Sequence, residues 1–263
     1  MTNISAAALA NQKNARQGDG TFGTQTHAPG PKLTVGAGKA PTSGPAFHAA
    51  LAAIEKGFHD GREKTQHGYM IRAINEMKEK CPAVASFTLK CEDDLEAEDA
   101  LDADGNEISD ADAAAMHGIW HYRDEDDYTH YVGEEIVVQE VLDTWQPNGE
   151  APGEAPTSGR EFEAALNAID VATDEAKEKT QHGYMLMAIN EMKEQCPNVA
   201  SFILRCEDDL EAMDILDADG NEASEADGAA MHDIWHYRAE DDYTSYLNDE
   251  TVDIQDVKDT WQP

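Results

Sequence analysis

The chain has 263 residues, 54 acidic and 19 basic, giving a formal net charge of −35 at neutral pH. That imbalance exceeds what solubility requires, and it argues against direct binding to nucleic-acid phosphates, which calls for clustered Lys and Arg. The length admits one large domain or two ordinary ones, no segment reads as a membrane span, and the N-terminus does not read as a secretory signal, so a reducing cytoplasm is the expected setting.

Residues 1–40 are rich in Gly, Ala, Asn, Gln and Thr, with four bases against one acid. They read as a disordered tail. At Pro41 a new unit begins, and its opening Pro-Thr-Ser-Gly returns at Pro156. Aligned without gaps, 41–131 and 156–246 share 65 of 91 positions at an offset of 115, the mark of a tandem duplication. Two copies follow, 41–147 and 156–263, joined by 148–155. That linker of eight residues reaches at most about 27 Å. Side-by-side copies, paired within the chain as a pseudo-dimer, are the expected arrangement.

Within a copy, Phe47, Leu51, Ile54 and Phe58 form the stripe of an amphipathic helix opened by Thr42 or Ser43. A second helix is expected over residues 62–80, with Tyr69, Ala73, Ile74 and Met77 inward and Pro82 ending it. It contains Lys64-Thr-Gln-His-Gly-Tyr-Met70, repeated identically as Lys179 to Met185. The helical Gly68 and Gly183 cost about 1 kcal/mol each relative to Ala, which points to close packing. Phe87, Leu89 and Cys91 alternate as in a half-buried strand. An extended run would hold Cys81 roughly 25 Å from Cys91, too far for a disulfide. The stretch 94–101 is open between helix and strand, and Asp104-Gly105-Asn106 is a turn. Ser109 caps a further helix with Asp112 three residues on, and Met116, Ile119 and Trp120 form its buried side. Val138, Val141, Leu142 and Trp145 close the copy, as Ile254, Val257 and Trp261 close the second. The expected fold is α+β, mostly helical with a small antiparallel sheet.

The acid is concentrated. Residues 91–127 contain 15 carboxylates among 37 residues, with Arg123 the one base, and 206–242 contain 14 with Arg238. The candidate partner-binding residues are Glu92, Asp93, Asp94, Glu96, Asp99, Asp102, Asp104, Asp124, Glu125, Asp126 and Asp127. Their counterparts are Glu207, Asp208, Asp209, Glu211, Asp214, Asp217, Asp219, Glu240, Asp241 and Asp242. Residues 124–127 follow a helix end, where carboxylates oppose the dipole, so their placement suggests a purpose other than stability. Charges about 7 Å apart repel by roughly 0.6 kcal/mol even in water. A high-salt cell interior would favour Arg over Lys and spread the acid evenly, whereas Lys outnumbers Arg 12 to 7 here. A solvated face is the bland reading. A basic protein face that ordinarily holds DNA or RNA is the sharper one, since alternate carboxylates on an extended chain, about 6.6 Å apart, are spaced on the order of duplex phosphates.

In this character the chain resembles the acidic antirestriction and anti-CRISPR proteins of phages and plasmids. The stretch Asn14-Ala-Arg-Gln-Gly-Asp-Gly-Thr-Phe-Gly-Thr-Gln-Thr-His27 resembles N-terminal tails of actinobacterial phage and mobile-element proteins. The resemblance implies a non-enzymatic DNA mimic that blocks the basic cleft of a host defence or DNA-binding protein in the host cytoplasm.

Metal chemistry supplies an alternative. Asp102-Ala-Asp104-Gly-Asn106 begins like a calcium loop, but Glu107 stands where the loop needs Gly and the distal Glu is absent, as in the second copy; a turn is the simpler reading. His117 and His121, like His232 and His236, have the i, i+4 spacing of zinc ligands. His232-Asp-Ile-Trp-His236 is faintly like a zinc-peptidase motif, yet Gly118 replaces the acid in the first copy. Packing around Trp120 and Tyr122 is the bland reading of these histidines. A structural zinc domain or metalloenzyme, and a virion or adaptor protein with merely solvating acid, remain as rival functions. No Ser-His-Asp order, phosphate loop or dinucleotide fingerprint is present, so no cofactor is expected.

Overall fold

The computed structural model describes residues 40–92, 94–206 and 209–263; the expected tail up to residue 39, and Asp93, Glu207 and Asp208, lie outside the described residues. The stripe from Phe47 to Phe58 and the helix expected from residue 62 are one continuous 37-residue helix, α1 (Gly44–Lys80). The division into two helices is therefore wrong. No proline follows Pro45 in the first turn, and an isolated glycine weakens a helix without removing its hydrogen bonds. Ser43 holds the extended N-cap position but makes no side-chain cap. Cys81, just before Pro82, donates its N–H to Met77 at 2.7 Å and ends the helix.

β1 (Val84–Cys91) carries Phe87 and Leu89 inward. The undecided stretch is a strand, β2 (Leu95–Asp102), antiparallel to β1 in a register that runs from Cys91 opposite Leu95 to Val84 opposite Asp102. The ladder slips near its middle, and Asp99 has φ +49° there, a left-handed backbone that bends the edge strand. After the turn comes α2 (Asp110–Trp120), capped as expected: Ser109 accepts the Asp112 N–H at 3.2 Å. A short strand the sequence did not announce, β3 (Glu135–Val137), pairs with the far side of β1 and gives the order β2-β1-β3. It leads into α3 (Val138–Asp143). The second copy repeats this series as α4 (Gly159–Gln195), β4 (Val199–Cys206), β5 (Leu210–Asp217), α5 (Glu225–Trp235), β6 (Thr251–Asp253) and α6 (Ile254–Thr260), with sheet order β5-β4-β6. The architecture is α+β with two small antiparallel sheets. Among the described residues no helix is long and apolar enough to cross a membrane.

The two hydrophobic cores do not follow the sequence repeat. The first gathers Met70, Ile74, Phe87, Leu89 and Trp120 from the first copy and adds Phe162 and Leu166 from the start of α4. The second gathers Met185, Ile189, Phe202 and Trp235 and adds Phe47 and Leu51 from the start of α1. Phe162 meets Trp145 edge-on with centroids 5.8 Å apart, and Phe47 meets Trp261 at 5.7 Å. Each such pair adds about 1 kcal/mol to the area it buries. α1 and α4 therefore pack antiparallel: Gly61 faces Thr173, Gly68 faces Leu166, and Leu51 faces Gly183. Contacts advance along one helix as they retreat along the other.

A Cβ at Gly68 would lie 2.3 Å from a Leu166 methyl, and one at Gly183 equally close to Leu51. Leu166 is fully buried and has nowhere to move. Gly68→Ala should thus destabilise the fold by roughly 1–3 kcal/mol despite the better helix propensity of alanine. At Gly57 a Cβ would meet nothing, so Gly57→Ala should stabilise by about 0.5–1 kcal/mol. Urea unfolding of the two variants should give shifts of opposite sign.

Candidate partner-binding surface

The acids reach the surface by two routes. The first is the β1–β2 hairpin. Glu92 and Asp94 are exposed in its turn, and Glu96 and Asp99 are exposed along β2. β2 is an edge strand, paired on its outer side at Ala100–Asp102 by residues 106–108. In the second copy Asp209, Glu211 and Asp214 occupy the same places, all exposed, and Asp214 repeats the left-handed φ of +49°. Glu98, which the sequence reading passed over, is exposed too and forms an ion pair with Lys90.

Asp102 and Asp217 have a different task. Asp102 Oδ1 accepts the backbone N–H groups of Asp104 and Asn106, each at 2.9 Å, and Asp217 does the same for Asp219 and Asn221. These bonds hold both carboxyls below the ordinary aspartate range. The calcium-like sequence is thus a turn organised by its first Asp, and only Asp104 and Asp219 present free carboxylates from it.

The second route starts at the end of α2. Its one base, Arg123, donates from Nε to the Ile119 carbonyl at 3.0 Å and from Nη2 to Glu76 at 2.6 Å. That places a cation at the helix C-terminus, where it is favourable. Asp124 then starts a new 3-10 helix (Glu125–Asp127) and accepts the Asp126 N–H at 3.1 Å. The expectation that 124–127 oppose a helix dipole is corrected for Asp124, which caps a new turn of helix, a placement that stabilises it. In the second copy Ala239 occupies the cap without a side-chain bond, and the helix runs Glu240–Tyr246.

The repeated heptapeptide fixes these acidic turns. Gln66 is buried. Its Nε2 donates to the Asp126 carbonyl at 2.7 Å, and its Oε1 accepts the His130 N–H at 3.2 Å. Gln181 makes the equivalent bonds to Asp241 and Ser245. The next residue, His67, contacts the Val141 carbonyl through Nε2 at 2.7 Å. Asp126, Asp127, Asp241 and Asp242 thereby converge on one cleft of about 540 Å³, with Tyr69, Tyr184, Asp170 and Asp174 beside them. The sequence reading missed Asp170, which accepts the Tyr69 hydroxyl at 2.8 Å; Glu55 partners Tyr184 in the same way. No local signal marks either acid, since both lie on the opposite copy's helix.

His117 and His121 stack with centroids 5.0 Å apart, and His121 Nδ1 lies 3.3 Å from Asp94. His232 and His236 repeat this at 5.1 Å, with Asp209 at 3.2 Å. Tyr122 and Tyr237 next to them are 86 % exposed, so this is surface and not a buried helix interface. Among the described residues no group of three His, Cys, Asp or Glu side chains is arranged to hold a metal. Set against protein families, curated proteins and solved structures, the chain matches none.

Asp127 is pushed above the ordinary aspartate range first by burial and then by Asp124, Asp170 and Asp126, with Arg123 opposing. Burial, Asp241 and Glu55 do the same to Asp242. A carboxyl raised in the fold contributes stability that is complete below its unfolded value and lost as pH rises through its folded value. Replacing both, Asp127→Asn with Asp242→Asn, should raise the thermal midpoint at pH 7 by roughly 1–3 °C. That gain over the parent should vanish as the pH falls to the ordinary aspartate range, as circular-dichroism melts across this interval would reveal.

Proposed function

We propose that this protein is a non-enzymatic polyanionic decoy that occupies the basic nucleic-acid-binding cleft of a partner protein. The observation that carries the reading is the exposure of uncompensated carboxylates at matching places in both copies. Glu96, Asp104, Glu125 and Asp126, with Glu211, Asp219, Glu240 and Asp241, are exposed and make no ion pair with another described residue. The bases within the acidic segments are spent inward, Arg123 on Glu76 and Arg238 on Glu191. A surface built only for solubility gains nothing from that segregation. A surface that competes for a Lys- and Arg-lined cleft gains both rate and affinity from it.

Reciprocal contacts support a pseudo-dimeric presentation of the two acidic faces. Tyr69 reaches Asp170 while Tyr184 reaches Glu55, and Asn75 donates to the Thr157 carbonyl while Asn190 donates to that of Thr42, both at 2.8 Å. In this reading the partner is a host DNA-binding or defence protein in the cytoplasm, and the decoy touches neither nucleic acid nor membrane.

The test is capture from an actinobacterial host lysate at low salt on the immobilised full chain, with elution by salt or by duplex DNA. A single nucleic-acid-binding protein released by both supports the proposal; a diffuse set of basic proteins released together at modest salt would refute it. With the partner in hand, combined neutralisation by E125Q, D126N, E240Q and D241N should weaken binding roughly tenfold while the thermal midpoint stays within about 2 °C.

A further inference from the structure

The two copies part company on the outer face of their sheets. In the first sheet one cross-strand row reads Glu135, Thr88, Glu98. In the second, the same row reads Thr251, Ile203, Met213. Beside it, at the bulge, Ala100 gives way to Ile215. Two carboxylates are lost, two apolar side chains gained and a third enlarged at one spot, although the inward residues of these strands are alike: Phe87 and Leu89 correspond to Phe202 and Leu204, and Leu95 to Leu210. The polar set is compatible with this backbone, because the first sheet carries it. Core packing therefore does not require the change.

Ile203 and Met213 face outward, and Ile215 beside them also packs against the second core. Ile203 and Ile215 are half-buried and Met213 is 41 % exposed, and all three line an open groove of about 560 Å³. Lys90 pairs with Glu98 across the first sheet, whereas its counterpart Arg205 donates from Nε to Asp249 at 2.6 Å and from Nη1 to the Met213 sulfur at 3.8 Å, so the row itself holds no carboxylate. Exposed apolar surface of this kind, rimmed by charge, marks a contact site. The rim is acidic: Asp214 and Glu222 line the groove, and Glu211, opposite Arg205, lies two pairs along the ladder. A second copy of this chain would bring the same acids against themselves, so charge complementarity selects a basic occupant.

We infer that the outer face of the β5-β4-β6 sheet anchors a basic protein segment. One apolar side chain of that segment seats among Ile203, Met213 and Ile215, and its neighbouring Lys or Arg residues meet Glu211, Asp214 and Glu222. The inference rests on the proposed basic partner and adds what that partner must carry: an apolar residue within its basic face. It also divides the labour between the copies, with both attracting by charge and the second holding by burial.

The test uses the full chain and two synthetic peptides of equal length and charge, one with Lys residues interrupted by single Leu residues, the other with Ser in those places. Calorimetry at one fixed salt concentration should find the Leu peptide bound about tenfold more tightly, the worth of burying one such side chain. The combined variant I203T/M213E/I215A, which restores the first copy's residues, should abolish that preference. Its added carboxylate makes the expected loss opposite in sign to a purely electrostatic effect. The reciprocal variant T88I/E98M/A100I should give the first sheet the same preference, guarding against a result due to misfolding. Equal binding of both peptides by the parent chain, or unchanged or tighter Leu-peptide binding by I203T/M213E/I215A, overturns the anchor and leaves the polyanion reading standing. Binding of neither peptide at low salt overturns both.

Discussion

The exchange of helix starts between the two copies is the constraint from which the remaining structure follows. Phe47 and Leu51 complete a core whose other members belong to the second copy, and Phe162 and Leu166 do the same for the first. Removing either helix start would leave a tryptophan, Trp145 or Trp261, without its phenylalanine neighbour. For a chain of net charge −35 this matters, because mutual repulsion opposes compaction and buried apolar contact is the largest contribution that offsets it. The glycines at 68 and 183 are part of the same device, since each leaves room for a leucine of the opposite helix.

The heptapeptide that carries those glycines also governs how the acid is displayed. Gln66 and Gln181 sit two residues before them and hold the backbone of the acidic turns. Helix packing and acid presentation are thus coupled through adjacent residues, which gives a physical reason for seven identical positions in both copies. The carboxylates divide by role as a result. Asp102, Asp217 and Asp124 are engaged by backbone N–H groups and shape their own loops. Asp127 and Asp242 are half-buried in the shared cleft. The remaining carboxylates of these segments lie exposed on the edge strands and turns.

The division also separates the copies. Near-identity keeps the charged display doubled, while the outer sheet face is polar in one copy and apolar in the other. A duplicated fold permits this, because one copy can carry a polar face while the other carries an apolar one on the same backbone. Arg205, which pairs with Asp249 and reaches the Met213 sulfur, is part of that shift.

Much of this was legible in the order of residues. The duplication, the strand at Phe87 and Leu89, the Ser109 cap and the turn at Gly105 are local features, and local propensity and periodicity report them directly. The stretch 94–101 was not legible: its acids equal its apolar residues in number, and the bulge at Asp99 breaks the alternation that would have marked a strand. Nor was the union of two helical stripes into α1, because the stripe facing the core changes partner along the helix. The sequence by itself determined which side chains needed burial and where the charge lay. Only the tertiary structure decided that Phe47 is buried in the other copy's core, that Asp126 and Asp241 share one cleft, and that Ile203 and Met213 lie side by side. Periodicity states that a face is apolar, but the identity of its partner is set by long-range packing, which no local pattern encodes.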